Sequence, residues 1–124
     1  MRVLEALKIL EEAVLDCKKR DNDTPEVSEA LNLLDPFCLP KWQVEGFRKS
    51  LGPVAGRSGA ELEGQQQVLR VCFGGIYRSV RALLQAQIAK KAAQYGRTKD
   101  ETVKADLDRL RVELAKLRRG GNFT

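Results

Sequence analysis

The spacing of hydrophobic residues predicts one long helix in the centre of the chain. Between Leu62 and Gln87, apolar residues return every seven positions, and a second set lies four positions after members of the first. Such heptad-like spacing is typical of a helix with one apolar face. The first set is Leu62, Leu69, Ile76 and Leu83, and the second is Phe73 and Val80, with Gln66 and Gln87 in the matching slots.

The chain before this segment predicts two amphipathic helices, followed by a third. The first spans residues 2–19, where apolar residues return at alternating spacings of four and three. The second begins with Thr24 as N-cap and Pro25 as the first helical residue. It stops at Asp35-Pro36, because a residue before proline is disfavoured in the α region. The apolar stripe of the first helix is Val3, Leu7, Leu10, Val14 and Cys17.

The third predicted helix spans residues 41–51, and Gly52-Pro53 ends it. In the connector before it, Phe37 and Leu39 are expected to fill the core from a loop. The apolar side of this helix is predicted to consist of Trp42, Val44, Phe47 and Leu51.

Residues 52–59, GPVAGRSG, form the clearest loop of the sequence. Glycine and serine before a helix N-terminus are compatible with a phosphate-binding loop. The loop lacks the G-x-x-x-x-G-K-[ST] pattern, however, and no strand is predicted before it. A plain linker between helices is the preferred interpretation.

The second half of the chain predicts a long helical hairpin. The long helix is expected over residues 60–95, and Gly74-Gly75 either kinks it or ends and restarts it, with a kinked continuous helix favoured. Gly96 is a predicted C-cap, and Thr98 with Glu101 resembles a capping box. The last helix then spans 99–119 and returns antiparallel, because the join is short. Its stripe is Val103, Leu107, Leu110, Leu114 and Leu117.

These elements give an all-α fold, a helical bundle of about five helices ending in a long antiparallel hairpin. We predict a single domain over residues 1–124, in which 1–51 holds the three short helices and 60–119 the hairpin. The leucine stripes are expected to form the core of this domain. The alternative is an exposed seam that pairs with another chain, as in a coiled coil.

The composition argues against several classes of enzyme and metalloprotein. The chain has 124 residues, three cysteines and no histidine. Cysteine and histidine zinc sites lack enough ligands, and a serine–histidine–aspartate triad is impossible. The carboxylate pairs of the sequence are assigned to solvated helix faces or a helix start. We therefore predict no catalytic residues, no metal, no cofactor and no small-molecule substrate. The pairs are Glu11-Glu12, Glu26-Glu29 and Glu61-Glu63.

Charge is distributed unevenly, although the net charge is only +5. Residues 1–35 hold nine acids and five bases, which gives −4. Residues 36–63 hold three acids and four bases, which gives +1, and residues 64–124 hold five acids and thirteen bases, which gives +8. No aspartate or glutamate occurs from Gly64 to Lys99. This asymmetry is the main functional indication in the composition.

The basic residues of the long helix lead to two hypotheses of function. In the first, a non-enzymatic binding or assembly module uses a basic helical surface to contact nucleic acid or another polyanion, such as an acidic protein surface. In the second, the chain is a protein–protein adaptor or self-assembling module, a possible homo-oligomer, with an acidic N-terminal third and a basic C-terminal half. The predicted contact residues are Arg70, Arg78, Arg81, Lys90, Lys91 and Arg97.

The sequence contains neither a membrane span nor a secretory signal by the usual criteria. No apolar run approaches the roughly 18 residues that cross a bilayer, and acidic residues interrupt the apolar pattern near the N-terminus. We therefore expect an intracellular, cytoplasmic protein that does not act at a membrane.

Overall fold

The computed structural model describes residues 2–120 and confirms an all-α fold that ends in a helical hairpin. Residues 2–120 contain five α-helices and one short 3-10 helix joined by turns and loops, and no strand occurs among them. Residues 1 and 121–124 of the predicted domain lie outside the described part. The helices are α1 (Val3–Asp16), α2 (Pro25–Leu34), α3 (Trp42–Lys49), α4 (Gly59–Thr98) and α5 (Glu101–Gly120), with the 3-10 helix at Asp35–Phe37.

The helix starts follow from local sequence. The Thr24 hydroxyl accepts a hydrogen bond from the Val27 backbone, and Pro25 opens α2 as predicted. Ser58 caps α4 in the same way, because its side chain accepts from the backbone N–H of Glu61. The first predicted helix was too long, since α1 ends at Asp16.

Two side chains between α1 and α2 hold the loop that leads into α4. The Oδ1 of Asn22 accepts from the backbone N–H of Gly52 at 2.8 Å. The Oδ1 of Asp21 accepts from the N–H of Val54 at 2.9 Å. These two amides are thus already bonded within the chain, and a carboxylate lies beside them. Both observations favour the linker interpretation over a phosphate-binding loop.

α4 is the central helix of the bundle and runs without a break through Gly74-Gly75. All six residues from Cys72 to Tyr77 are buried, so neighbouring elements cover the helix on every side at this level. The alternative of two separate helices is wrong, while the predicted kink stays a prediction. A side chain at position 75 has no room, because a Cβ there would lie 2.6 Å from Nε2 of Gln43 on α3.

A second glycine, on α3, also lies at the contact between α3 and α4. A Cβ on Gly46 would lie 2.8 Å from Sγ of Cys72, so each helix contributes a glycine to the crossing. Gln43 is buried at this crossing, which turns the neighbouring Trp42 outward. The prediction that Trp42 lies on the apolar side of α3 is therefore wrong, since its side chain is 54% exposed.

The turn between the hairpin helices differs from the predicted one. α4 continues through Gly96 to Thr98, and Lys99 adopts the left-handed conformation with φ 55°. The side chain of Asp100 accepts from the backbone N–H of Thr102 at 2.9 Å and thus begins α5. Gly96 is therefore not the C-cap, and Asp100 replaces Thr98 as the residue that caps α5. The two helices still form the predicted antiparallel pair, because a two-residue join suffices.

The hairpin divides into a packed base and a projecting arm. At the base, Leu110 and Leu117 belong to the main hydrophobic cluster together with α1, α2 and α3. No residue of α4 after Leu84 is buried, whereas Val103 and Leu107 of α5 are buried outside that cluster. We call the part of the hairpin from residue 85 to residue 109 the arm.

Three details of the predicted core were wrong. Leu84 is buried where Leu83 was predicted, and Leu62 and Leu83 are only half-buried. Leu39 is 70% exposed, so of the two connector residues only Phe37 packs against the core. The seven-residue register fails because the helices contacting α4 change along its length.

Candidate polyanion-binding surface

Three of the six predicted arginines and lysines lie on one side of α4. At 3.6 residues per turn, Arg81 lies about 20° and Arg78 about 80° around the helix from Arg70. The buried positions Ile76 and Val80 point the other way, about 240° and 280° from Arg70 on the same scale, but the buried Gly74 and Tyr77 lie on the arginine side, at about 40° and 340°. The three arginines therefore flank a covered level of the helix, with Arg70 before it and Arg78 and Arg81 after it. Arg70 and Arg78 are exposed, and Arg81 is half-buried. We call the surface made by these three arginines the outer face.

The other three predicted residues do not join the outer face. On the same helical scale, Lys90 and Arg97 lie about 160–180° from Arg70 and are exposed on the opposite side of the arm. Lys91 pairs with Asp106 of α5, with its Nζ 3.7 Å from a carboxylate oxygen. Partly exposed pairs of this kind contribute at most about 1 kcal/mol. The pair nevertheless offsets the charge of Lys91.

Tyr77 holds Arg81 in place on the outer face. The Arg81 guanidinium lies 5.7 Å from the centre of the Tyr77 ring, within the range of a cation–π interaction. The ring is buried, and its hydroxyl donates to the backbone carbonyl of Leu117 at 2.9 Å. Arg81 thus keeps its full charge at the surface while resting on a fixed ring.

Glu63 marks the N-terminal limit of the outer face. It forms an ion pair with Lys18 of α1. This hydrogen bond and the charge of Lys18 lower the pKa of Glu63, and Arg70 adds a smaller effect in the same direction. The carboxylate is therefore ionised at neutral pH, and the purely basic part of the surface begins at Arg70.

α5 has two exposed basic residues whose direction the sequence alone did not assign. Glu113 lines a cavity with Leu33 and Phe37, so this edge of α5 faces the N-terminal helices. Lys104 and Arg111 lie roughly 160° around α5 from Asp106 and Glu113, respectively, at 100° per residue. They therefore lie on the exposed edge of α5 that faces away from the N-terminal helices. Only the direction in which α5 packs on α4 reveals this.

A shallow groove adjoins the outer face at Arg78. It has a volume of about 380 Å³ and, apart from Arg78 and Ser79, its lining is apolar. The Ser79 hydroxyl lies 3.3 Å from the carbonyl oxygen of Leu39 and 3.1 Å from Oε1 of Gln43, which fixes the connector and α3 against α4. We call this shallow groove the side groove. Its lining is Phe37, Leu39, Arg78, Ser79, Ala82 and Leu83.

The acidic pairs of the sequence have structural partners or remain apart. Glu61 caps α4 with Ser58, and Glu63 pairs with Lys18. Burial raises the pKa of Glu11. Within residues 2–120, no three metal-binding side chains come together.

The three cysteines are buried free thiols. Burial, with a smaller effect from the Asp35 carboxylate, raises the pKa of Cys38 from 9.0 to about 11. Burial also raises the pKa values of Cys17 and Cys72. At neutral pH these thiols are protonated and poor nucleophiles.

We expect the free energy of unfolding to fall in alkali because the Cys38 thiol is buried. Because its pKa is higher in the folded than in the unfolded chain, its contribution to stability is full below pH 9 and declines as the pH rises toward 11. Urea unfolding at pH 8 and pH 10 should show a larger loss for the wild type than for Cys38→Ala. Equal losses in both proteins would contradict this.

Comparison with known proteins gives no assignment: no protein-family model, no curated protein and no solved structure matches the chain. Among the described residues, no helix combines the length and apolar character needed to cross a membrane. The function therefore has to be inferred from the surface itself.

Proposed function

We propose that this protein is a non-enzymatic binding module whose outer face contacts nucleic acid or another polyanion. The observation that carries the proposal is the position of Arg70, Arg78 and Arg81 within about 80° of one another around α4. α4 has no acid between Gly64 and its end at Thr98. Regularly placed cations on a rigid helix favour contacts with a phosphate backbone, because binding releases condensed counterions.

The central test compares two double variants that remove the same charge from opposite sides of α4. Arg78→Gln/Arg81→Gln is expected to weaken binding of a nucleic acid at least tenfold at low salt. Its plot of log affinity against log salt should be shallower by about 1.4 for single strands or 1.8 for duplex DNA, since two phosphate contacts are lost. The matched control, Lys90→Gln/Arg97→Gln, should keep a salt slope close to that of the wild type.

Fluorescence anisotropy of a labelled oligonucleotide, measured from about 20 to 200 mM salt, gives both quantities. Equal weakening in the two variants would mean that net charge alone causes binding, and the outer face would not be the site. Absence of binding to any polyanion at the lowest salt would overturn the proposal as a whole.

A protein–protein adaptor is the second candidate function. Four of the large exposed apolar side chains, each between 47% and 70% exposed, lie on α4, at the start of α3 or on the segment that leads into α3. Exposed apolar surface of this kind is typical of protein contacts. Sedimentation equilibrium tests self-assembly, because a mass equal to the monomer at all concentrations excludes the homo-oligomer. The four side chains are Leu39, Trp42, Val68 and Val71.

A further inference from the structure

We infer that the polyanion is a single-stranded nucleic acid, with unpaired bases placed against Trp42 and the side groove. This inference rests on the proposed function and names the ligand class of the same surface. Beside its arginines, that surface has an apolar border, formed by the side groove and Trp42, which phosphate contacts leave unused.

The border joins the outer face through Arg78, which belongs to both. From Arg78 the lining of the side groove passes to Leu39, whose side chain is 70% exposed. Three residues later Trp42 opens α3 with its side chain 54% exposed, directly after the exposed Lys41. Exposed cationic and apolar side chains thus occur close together along the stretch from Leu39 to Trp42.

This stretch is fixed in position, so a ligand binding there orders little of the protein. Gln43 follows Trp42 and is buried against α4, where a Cβ on Gly75 would touch its side chain. Ser79 of α4 contacts both Gln43 and the Leu39 carbonyl. A preformed site of this kind loses less conformational entropy on binding.

The apolar border distinguishes between kinds of polyanion. A duplex or a sulfated polysaccharide presents charged groups to the arginines but leaves Trp42 and the groove in water. An unpaired strand has base faces that stack on an aromatic ring, and its phosphates remain free to contact arginine. From Arg70 to Arg81 the helix rises about 16 Å, the length of about five stacked nucleotides at 3.4 Å each. A strand of ten nucleotides is therefore long enough to pass the three arginines and extend about five nucleotides beyond them.

One acid opposes this ligand. Glu45 is exposed one turn after Trp42 on α3, and its charge repels a phosphate near the ring. Glu45→Gln is therefore expected to tighten binding of any polyanion, whereas changes at Trp42 should act on unpaired strands alone. The two variants separate the electrostatic contribution from the stacking contribution.

Trp42 is the only tryptophan of the chain, so its fluorescence reports directly on this surface. Titration of the full chain with a ten-nucleotide oligo-dT or oligo-U is expected to quench the emission. A ten-base-pair duplex and heparin should bind with little quenching. Replacement Trp42→Leu, followed by anisotropy of labelled oligonucleotide, should weaken single-strand binding about tenfold and leave heparin binding unchanged.

The outcomes distinguish this inference from the proposed function. Binding of duplex, heparin and single strand with equal affinity and without quenching would overturn the single-strand assignment and leave the polyanion function intact. Failure of all three to bind would overturn both. Quenching by poly-glutamate but not by either oligonucleotide would assign the surface to an acidic protein segment instead. Circular dichroism of Trp42→Leu and the partial rescue expected for Trp42→Phe exclude a folding defect as the cause of weaker binding.

Discussion

Replacement of Tyr77 by alanine is expected to lower the free energy of unfolding by about 3–5 kcal/mol. The Tyr77 ring is buried between α4 and α5, 6.4 Å from the ring of Phe73. Its removal leaves a cavity at the base of the hairpin and deprives the Leu117 carbonyl of its donor. Equilibrium urea unfolding, followed by circular dichroism, measures the loss.

Tyr77→Phe is the matched control, because it keeps the ring and removes only the hydroxyl. The expected loss is about 1–2 kcal/mol, the effect of one buried hydrogen bond. The phenylalanine ring also still supports Arg81, so polyanion binding should change little. If Tyr77→Ala and Tyr77→Phe lost the same stability, ring packing at this position would not hold α5 to the body of the protein.

Replacement of Gly75 by leucine is expected to destabilise the protein by about 2 kcal/mol or more, as overpacking of a filled contact does. The reason is the absence of space between α4 and α3, where Gln43 occupies the position of the new side chain. The gain in helix propensity from removing a glycine, about 1 kcal/mol, offsets part of the cost. Thermal and urea unfolding both report the difference.

Gly96→Ala is the control for this substitution. Gly96 also lies inside α4, but nothing approaches within 4 Å of a Cβ built there. Alanine should therefore stabilise the protein by about 0.5–1 kcal/mol. Destabilisation by both variants would show that the glycines serve helix flexibility rather than close packing.

The sequence was sufficient for the elements whose signals are local. Thr24-Pro25 placed the start of α2 correctly, since capping depends on neighbouring residues only. The stripe from Val103 to Leu117 predicted α5 and its pairing, because the contact with one helix keeps one register. The hairpin followed from two regular helices and a short join.

Errors arose where several elements meet or where a partner is distant in sequence. A single stripe cannot describe α4, since different helices cover different sides of it between Cys72 and Tyr77. Trp42 points outward because Gln43 and Gly46 make the closer contact with α4. Hydrophobicity alone predicts the opposite, with Trp42 on the buried side of α3. Lys91 was grouped with the free cations because its partner Asp106 belongs to another helix. Helix periodicity placed Arg70 and Arg81 together. The direction in which Lys104 and Arg111 of α5 face could be found only from the packing of α5.

Because α4 is uninterrupted, its length sets the distance between its two ends. Its 40 residues span about 60 Å at 1.5 Å per residue, from the loop pinned by Asp21 and Asn22 to the turn at Lys99. An uninterrupted helix of this length changes its end-to-end distance little, so anything held at the acidic N-terminal end and anything held at the hairpin tip are kept at a set spacing.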